Sequence, residues 1–345
     1  MGLGGDLIWN GVFRALHAQD GRKPVVAHIP RLSDLLAGCL YDRSAALADR
    51  PAFTGNPRLS FPPVMRKSAT VGWIDRAFMG ALSRLGLRRP YEHAILRLAA
   101  RRAGRGLPRL VHVDMLILSY AERETKERMI WKQGGHAIQV ILRSFGVATE
   151  EVASELYLDP AEDRRAEDLL RSRGVVGPFI AFEPGTNREW FGDLRSWPLE
   201  RWTELADALR RHRPDVGLVQ IGTAETPVLP QVIDLRGRTT FREAAAIIKR
   251  SALFIGTEGG LMHAARAVDA RALILWGGVT LPEFAGYPDR HRIICHRVSC
   301  APCGQTGWCD NDHVCMRSIT AAETIAAALA SLPPPVEADK VRGVG

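Results

Sequence analysis

The spacing of apolar positions changes character near the middle of the chain. From Pro178 onward, short continuous apolar runs alternate with stretches at helical spacing. Phe179-Ile-Ala-Phe182 reads as a buried strand that ends at Pro184-Gly185, and Leu199 to His212 sets Trp202, Leu205, Ala206 and Leu209 on one helical face. Val216 to Ile221 returns as a strand, Gly222-Thr-Ala-Glu225 turns, and Phe241 to Arg250 is a helix. Leu253-Phe-Ile-Gly256, a glycine turn, a short helix opening at Leu261 and the run Ala272 to Gly277 complete a strand, helix, strand unit. Such alternation predicts an α/β fold with a parallel sheet covered by helices on both faces, and ligands at the carboxyl ends of its strands.

The first half is less regular. Leu7 to Gln19 reads as a helix burying Ile8, Val12 and Leu16, and Pro24 to Ile29 as a strand; Trp73 to Leu85 and His136 to Phe145 are helical, and Val111 to Ser119 offers a second strand. Residues 31 to 70, rich in Pro, Arg and small side chains, are expected to form long connections. The charged helix Ala161 to Arg173, stopped by Gly174, suggests a boundary near residues 160 to 177. The domains expected are therefore 1–165 and 175–332, with a cysteine-rich segment at 295–315 and a flexible tail at 333–345.

A length of 345 residues suffices for two domains with their own cores, and 46% hydrophobic with 24% charged residues describes a water-soluble globular chain. No run of about 18 apolar residues occurs. The N-terminus lacks the basic-then-apolar layout of a secretory signal, so a cytoplasmic location is expected. The net charge of +8 calls for anionic company: a nucleotide-activated substrate, an anionic lipid surface or a nucleic acid. No element that reads nucleic acid is recognisable, so nucleic acid is not an expected partner. Arg97 to Arg105 is either a solvated helix or a patch for the inner face of an anionic membrane, which would make the protein peripheral there.

Three segments carry candidate chemistry. Thr257-Glu258-Gly259-Gly260-Leu261-Met262-His263 joins a strand to a helix; its glycines let the backbone approach a ligand, and the free amides at the helix start favour an anion such as pyrophosphate. Glu258 and His263 reach the same spot. The plain alternative is a glycine turn of any α/β protein. Asp6, after Gly2-Leu-Gly4-Gly5, stands where a helix begins, as an N-terminal cap or as a general base. Glu183-Pro184-Gly185-Thr186-Asn187, followed by Arg195-Ser196-Trp197-Pro198, offers hydroxyl, amide and guanidinium groups to phosphate oxygens; the alternative is an ordinary helix start with a solvated arginine.

Cys300, Cys303, Cys309 and Cys315 fall within sixteen residues. Three readings stand: a structural zinc or other soft metal on four thiolates, reduced packing cysteines, or disulfides. His296 and His313 are spare ligands.

Taken together, the segments resemble glycosyltransferase family 9, best known for the heptosyltransferases of lipopolysaccharide core assembly. Gly4-Gly5-Asp6 is similar to the family's opening turn, Pro184-Gly185 with Arg195-Ser196-Trp197-Pro198 to its Pro-Gly and Trp-Pro block, Glu258-Gly-Gly-Leu-Met-His263 to its acid-X-Gly-X-X-His signature, and Cys300-Ala-Pro-Cys303 to its Cys-X-Pro-Cys tail. Glu258 replaces the aspartate, and Arg195 the lysine, of many relatives. The resemblance implies a GT-B architecture of two Rossmann-like domains with parallel sheets facing across a cleft, and inverting transfer with no catalytic metal or other cofactor. The implied donor is a nucleotide-diphosphate sugar, ADP-heptose favoured, and the acceptor a glycan or glycolipid. Asp6 would be the base, with Thr186, Asn187 and Arg195 holding the pyrophosphate. Glu225 would lie near the ribose and Glu258 at the sugar, with Gly259, Gly260 and Leu261 offering amides and His263 supporting the leaving group. A catalytically inactive nucleotide-sugar-binding relative is the second reading, prompted by the missing apolar strand before the opening turn; either the natural start lies upstream or the first domain lacks that strand.

Overall fold

The computed structural model describes residues 2–62, 72–103, 109–113, 134–185, 193–304 and 308–334. The chain divides into two compact units, Met1–Tyr157 and Leu158–Gly345.

The first unit is built on α1 (Leu3–Asp20), which buries Leu7, Ile8, Trp9, Val12, Phe13 and Leu16. Gly11 lets α5 (Ala137–Arg143) come close, since a Cβ there would sit 2.4 Å from Ile138 Cδ1. Asn10 is wholly buried and is satisfied: its amide donates to the Ala52 and Glu155 carbonyls at 2.6 and 3.0 Å and its oxygen accepts from Asn56. The sheet is small. β1 (Val25–Ala27) pairs in parallel with β2 (Leu110–His112), Val25 opposite Leu110. α4 (Arg88–Ala103) sets Ile95 and Ala99 against Ala27, Leu35, Leu40 and Tyr41, with α3 (Gly72–Arg84) alongside and α2 (Leu32–Ala37) in the connection that follows β1.

Two expectations change here. Helix α1 begins at Leu3, so Gly4, Gly5 and Asp6 lie within its first turns and Gly2 is the N-cap. Asp6 is therefore not a capping residue at a turn. Residues 31 to 62, expected as connections, contain α2 and a 3-10 helix at Asp42–Leu47. Most of the proposed strand from Val111 to Ser119, and the tail from residue 335, lie outside the described residues.

The second unit opens with α6 (Pro160–Ser172), capped by Asp159 with Glu162 reaching back to the cap amide. It docks on α8 (Phe241–Arg250) through Arg242 to Glu162 at 2.6 and 2.9 Å, Arg165 to Glu243 at 2.7 Å, and Arg250 to Asp163. The charged helix that suggested a boundary thus belongs to this unit, and the division falls ahead of it, between Tyr157 and Leu158.

Six parallel strands follow: β3 (Phe179–Glu183), β4 (Gly217–Gln220), β5 (Ile233–Asp234), β6 (Leu253–Thr257), β7 (Ala272–Leu275) and β8 (His291–Ile294), in the order β5-β4-β3-β6-β7-β8. Ile180 and Phe182 of β3, Ile255 of β6 and Leu275 of β7 face α7 (Leu199–His212) and α12 (Ala321–Ser331) in one core, where Trp202 stacks edge-on to Trp197 and Phe182. α8, with α6 and α9 (Gly260–Ala267) against it, forms another helical layer. β5, β8, α12 and the single-turn helices α10 (Pro282–Ala285) and α11 (Val314–Arg317) add to the elements expected from the pattern. The chain runs outward from β3 to β5, then restarts at β6 on β3's other side. Strand order therefore reverses between β3 and β6, the place where open parallel sheets bind ligands.

Candidate active site

At that reversal Glu183 ends β3 opposite Gly256 of β6. Beyond Gly256 the chain passes through Thr257 and Glu258 into α9, capped by Gly259 with no side-chain bond. The first bond closing the helix runs from His263 N–H to the Gly259 carbonyl, which leaves the amides of Gly260, Leu261 and Met262 without intrahelical acceptors. The expected strand, glycine turn and helix therefore form, with Leu261 and His263 buried in the helix.

Glu258 is only 5% exposed. Its Oε1 accepts a hydrogen bond from the Thr280 hydroxyl at 2.8 Å and lies 3.1 Å from an Arg195 guanidinium nitrogen. Arg195 ends a short 3-10 turn, Asp193–Arg195, anchored by Trp197, whose indole N–H donates to the Ile319 carbonyl at 2.9 Å. Arginine and acid, far apart in sequence, are one buried pair. Thr280 joins them without any signal in the local pattern.

His263, in the second turn of α9, has Nδ1 2.7 Å from the Tyr287 hydroxyl, with the rings edge to face. Burial pushes the Tyr287 hydroxyl far above its ordinary range, so it keeps its proton. Tyr287 also stands edge-on to His291, whose imidazole burial drives down to about 4, leaving it neutral.

Glu183 is not among the candidate site residues read from the sequence. Burial alone pushes its carboxyl up to about 8, and its Oε2 has no hydrogen-bond partner among the described residues. The available signal was an acid closing a run of four apolar residues before Pro-Gly. Glu225 stands exposed on the turn after β4, its carboxyl held below the usual range by its own amide and the Thr223 hydroxyl. Thr186 and Asn187 lie outside the described residues.

In the first unit, Asp6 is 3% exposed and Arg50 donates to its Oδ1 at 2.8 Å. Desolvation raises its carboxyl to about 6 despite Arg50 and, more weakly, His28, which pull the other way. It is ionised at neutral pH and basic enough to take a proton.

Cys300, Cys303, Cys309 and Cys315 all line one cavity of about 260 Å3, floored by Gly278. The four-thiolate reading is not met by this geometry: among the described residues no three His, Cys, Asp or Glu side chains converge to hold a metal ion. All six cysteines are free thiols, and burial raises those of Cys295, to about 11, and Cys315. The disulfide reading is not met either.

Comparisons with known proteins agree with this picture. The profile described as glycosyltransferase family 9 (heptosyltransferase) matches residues 94–311. Lipopolysaccharide heptosyltransferase 3 of Escherichia coli is 26% identical over 168 residues, 45% of this chain and 48% of that protein. The chain spans about half the length of the curated relatives it matches. In fold it is similar to the family 9 glycosyl transferase of Veillonella parvula DSM 2008, with a TM-score of 0.61 at 15% identity over 96% of this chain and 94% of that one. It is also similar to the ADP-heptose lps heptosyltransferase II of E. coli, with a TM-score of 0.54 at 15% identity over 94% of each chain. With the profile covering more than half of its length and the α/β fold of the GT-B transferases, the chain belongs to glycosyltransferase family 9, the heptosyltransferase family.

Proposed function

We propose that the protein transfers a heptose-like sugar, with inversion, from ADP-heptose or a close nucleotide-diphosphate sugar to a glycan or glycolipid acceptor. The observation that carries this reading is the buried Arg195, Glu258 and Thr280 cluster beside the open amides of α9, at the reversal of strand order. Glu258 takes hydroxyls of the sugar. Arg195, Thr186, Asn187 and the amides of Gly259, Gly260 and Leu261 hold the diphosphate, His263 supports the leaving oxygen, and Glu225 meets the ribose. Donors fixed before the reaction stabilise the charge that builds on the departing diphosphate.

Asp6 removes the acceptor proton as the acceptor oxygen attacks the anomeric carbon. The carbon–oxygen bond to the phosphate breaks, its electron pair leaves with the diphosphate, and a single displacement inverts the centre. No metal or other cofactor takes part. For a lipid-borne acceptor we place the protein at the cytoplasmic, anionic face of a membrane. In support, α3, α4 and their junction expose Leu85 (69%), Leu87 and Leu98 beside Arg84, Arg97 and Arg101.

The test is turnover of a panel of ADP, GDP, UDP and dTDP sugars with lipopolysaccharide-core acceptors. Release of ADP from ADP-heptose, coupled to a product of inverted anomeric configuration, is expected. Release of no nucleoside diphosphate from any donor, or a retained configuration, would sink the reading.

A further inference from the structure

Glu183 closes β3 at 7% exposure, Cα to Cα with Gly256 across the reversal of strand order. The neighbouring backbone is pared to glycine around it. A Cβ on Gly256 would lie 3.5 Å from the Glu183 Cβ, and one on Gly222 4.0 Å from its Cγ. At Gly185, two residues on, a Cβ would meet Thr226 at 2.9 Å. Within this walled place Oε2 bonds to nothing among the described residues. A buried polar atom left so costs about 1–3 kcal/mol, and leucine would serve packing as well or better. Structural need therefore does not account for an acid here, whereas a ligand would.

The sign of that ligand follows from the surroundings. Arg195, and the amides of α9 that begins four residues beyond Gly256, are receptive to an anion. A carboxylate would repel that anion, but desolvation keeps Glu183 protonated up to about pH 8 with no charged side chain contributing. A neutral acid is a hydrogen-bond donor, and a diphosphate drawn near favours the neutral form further.

We propose that Glu183 is a diphosphate-binding residue, its carboxyl O–H donating to a phosphate oxygen of the nucleotide donor. This rests on the nucleotide-sugar reading above and names a ligand contact that the family signature does not contain.

The test compares the full chain with Glu183→Gln, Glu183→Leu and Glu183→Ala, titrating ADP and adenosine calorimetrically and recording thermal unfolding. Glu183→Leu should lose ADP affinity about tenfold, change adenosine affinity by less than about twofold, and unfold at higher temperature. Glu183→Gln keeps an N–H donor and should bind ADP within about threefold of wild type. Should the leucine variant fail to fold, Glu183→Ala carries the same ADP and adenosine expectation. Wild-type ADP affinity in the leucine or alanine variant, equal losses for ADP and adenosine, or a glutamine variant as weak as leucine would each overturn the proposal. A wild-type protein that binds neither ligand would instead bring down the nucleotide-sugar reading itself.

Discussion

Each unit holds, at a candidate site, a buried carboxyl group whose pKa is raised, and the two are handled in opposite ways. Asp6 in the first turns of α1 is paired: Arg50 offsets much of the desolvation and leaves it near 6. Glu183 at the end of β3 has no such partner and rises to about 8. At neutral pH the first is an ionised base and the second a neutral acid. The contrast shows how one partner residue decides between two chemistries for the same functional group. In the proposed reaction the first site must accept a proton while the second must tolerate a diphosphate.

The largest effect should come from Asp6→Asn. Losing the proposed general base is expected to lower kcat about a thousandfold, with the ADP dissociation constant unchanged, whereas Glu183→Leu should move ADP binding. Initial-rate kinetics beside calorimetry separates the two. Equal turnover in Asp6→Asn and wild type would remove the base role.

Stability gives the next effect. The folded-state pKa of Asp6 lies above its unfolded value of 3.8, so the folded state holds the proton more tightly. Its favourable contribution is complete below about pH 3.8 and is lost as pH rises through about 6. Full ionisation therefore costs the fold about 3 kcal/mol relative to the protonated state. Denaturant unfolding of wild type and Asp6→Asn should converge near pH 4 and separate by pH 7, with the variant more stable. For Glu183 the same sign applies over a window that ends near pH 8, so Glu183→Gln should separate from wild type over a higher range. Coincident windows would break the comparison.

How much of this could be read in the chain differs between the units for a physical reason. In the second unit the central strands β3, β6 and β7 are buried on both faces and so appear as continuous apolar runs, while Leu199–His212 and Phe241–Arg250 carry clear helical faces; the helix bounds agree with the pattern. The cradle was legible through its glycines. In the first unit the pattern misled at Gly4 and Gly5, which read as a turn but are held helical by the packing of α1, and among the described residues the paired sheet amounts to three residues in each strand. The site's electrostatics were not legible anywhere. That Arg195 meets Glu258, that Thr280 joins them and that Tyr287 meets His263 are consequences of topology, and local spacing carries no trace of them.

Arg50 itself offers a sharper test of the paired site. Arg50→Met removes the largest influence that lowers the Asp6 pKa, so the acid limb of the kcat/KM profile should move alkaline by about one pH unit while the plateau above it persists. The arginine is partly exposed, so the variant should fold. A limb that stays in place would mean that Asp6 is not the group being titrated.

The smallest effect is expected in the second unit, where a hydroxyl and not a charge holds His263, the residue proposed to support the leaving oxygen. The Tyr287 hydroxyl keeps its proton and is hydrogen-bonded to Nδ1 of His263 at 2.7 Å, which holds the imidazole in its orientation. Tyr287→Phe keeps the ring against His263 and His291 but removes that bond. The fall in kcat should be about tenfold or less, with the donor KM within about twofold of wild type. A KM rise with unchanged kcat would mean that the tyrosine only shapes the pocket. The effect is also small beside that of Asp6→Asn because a single hydrogen bond contributes about 1 kcal/mol, against the several that a general base supplies.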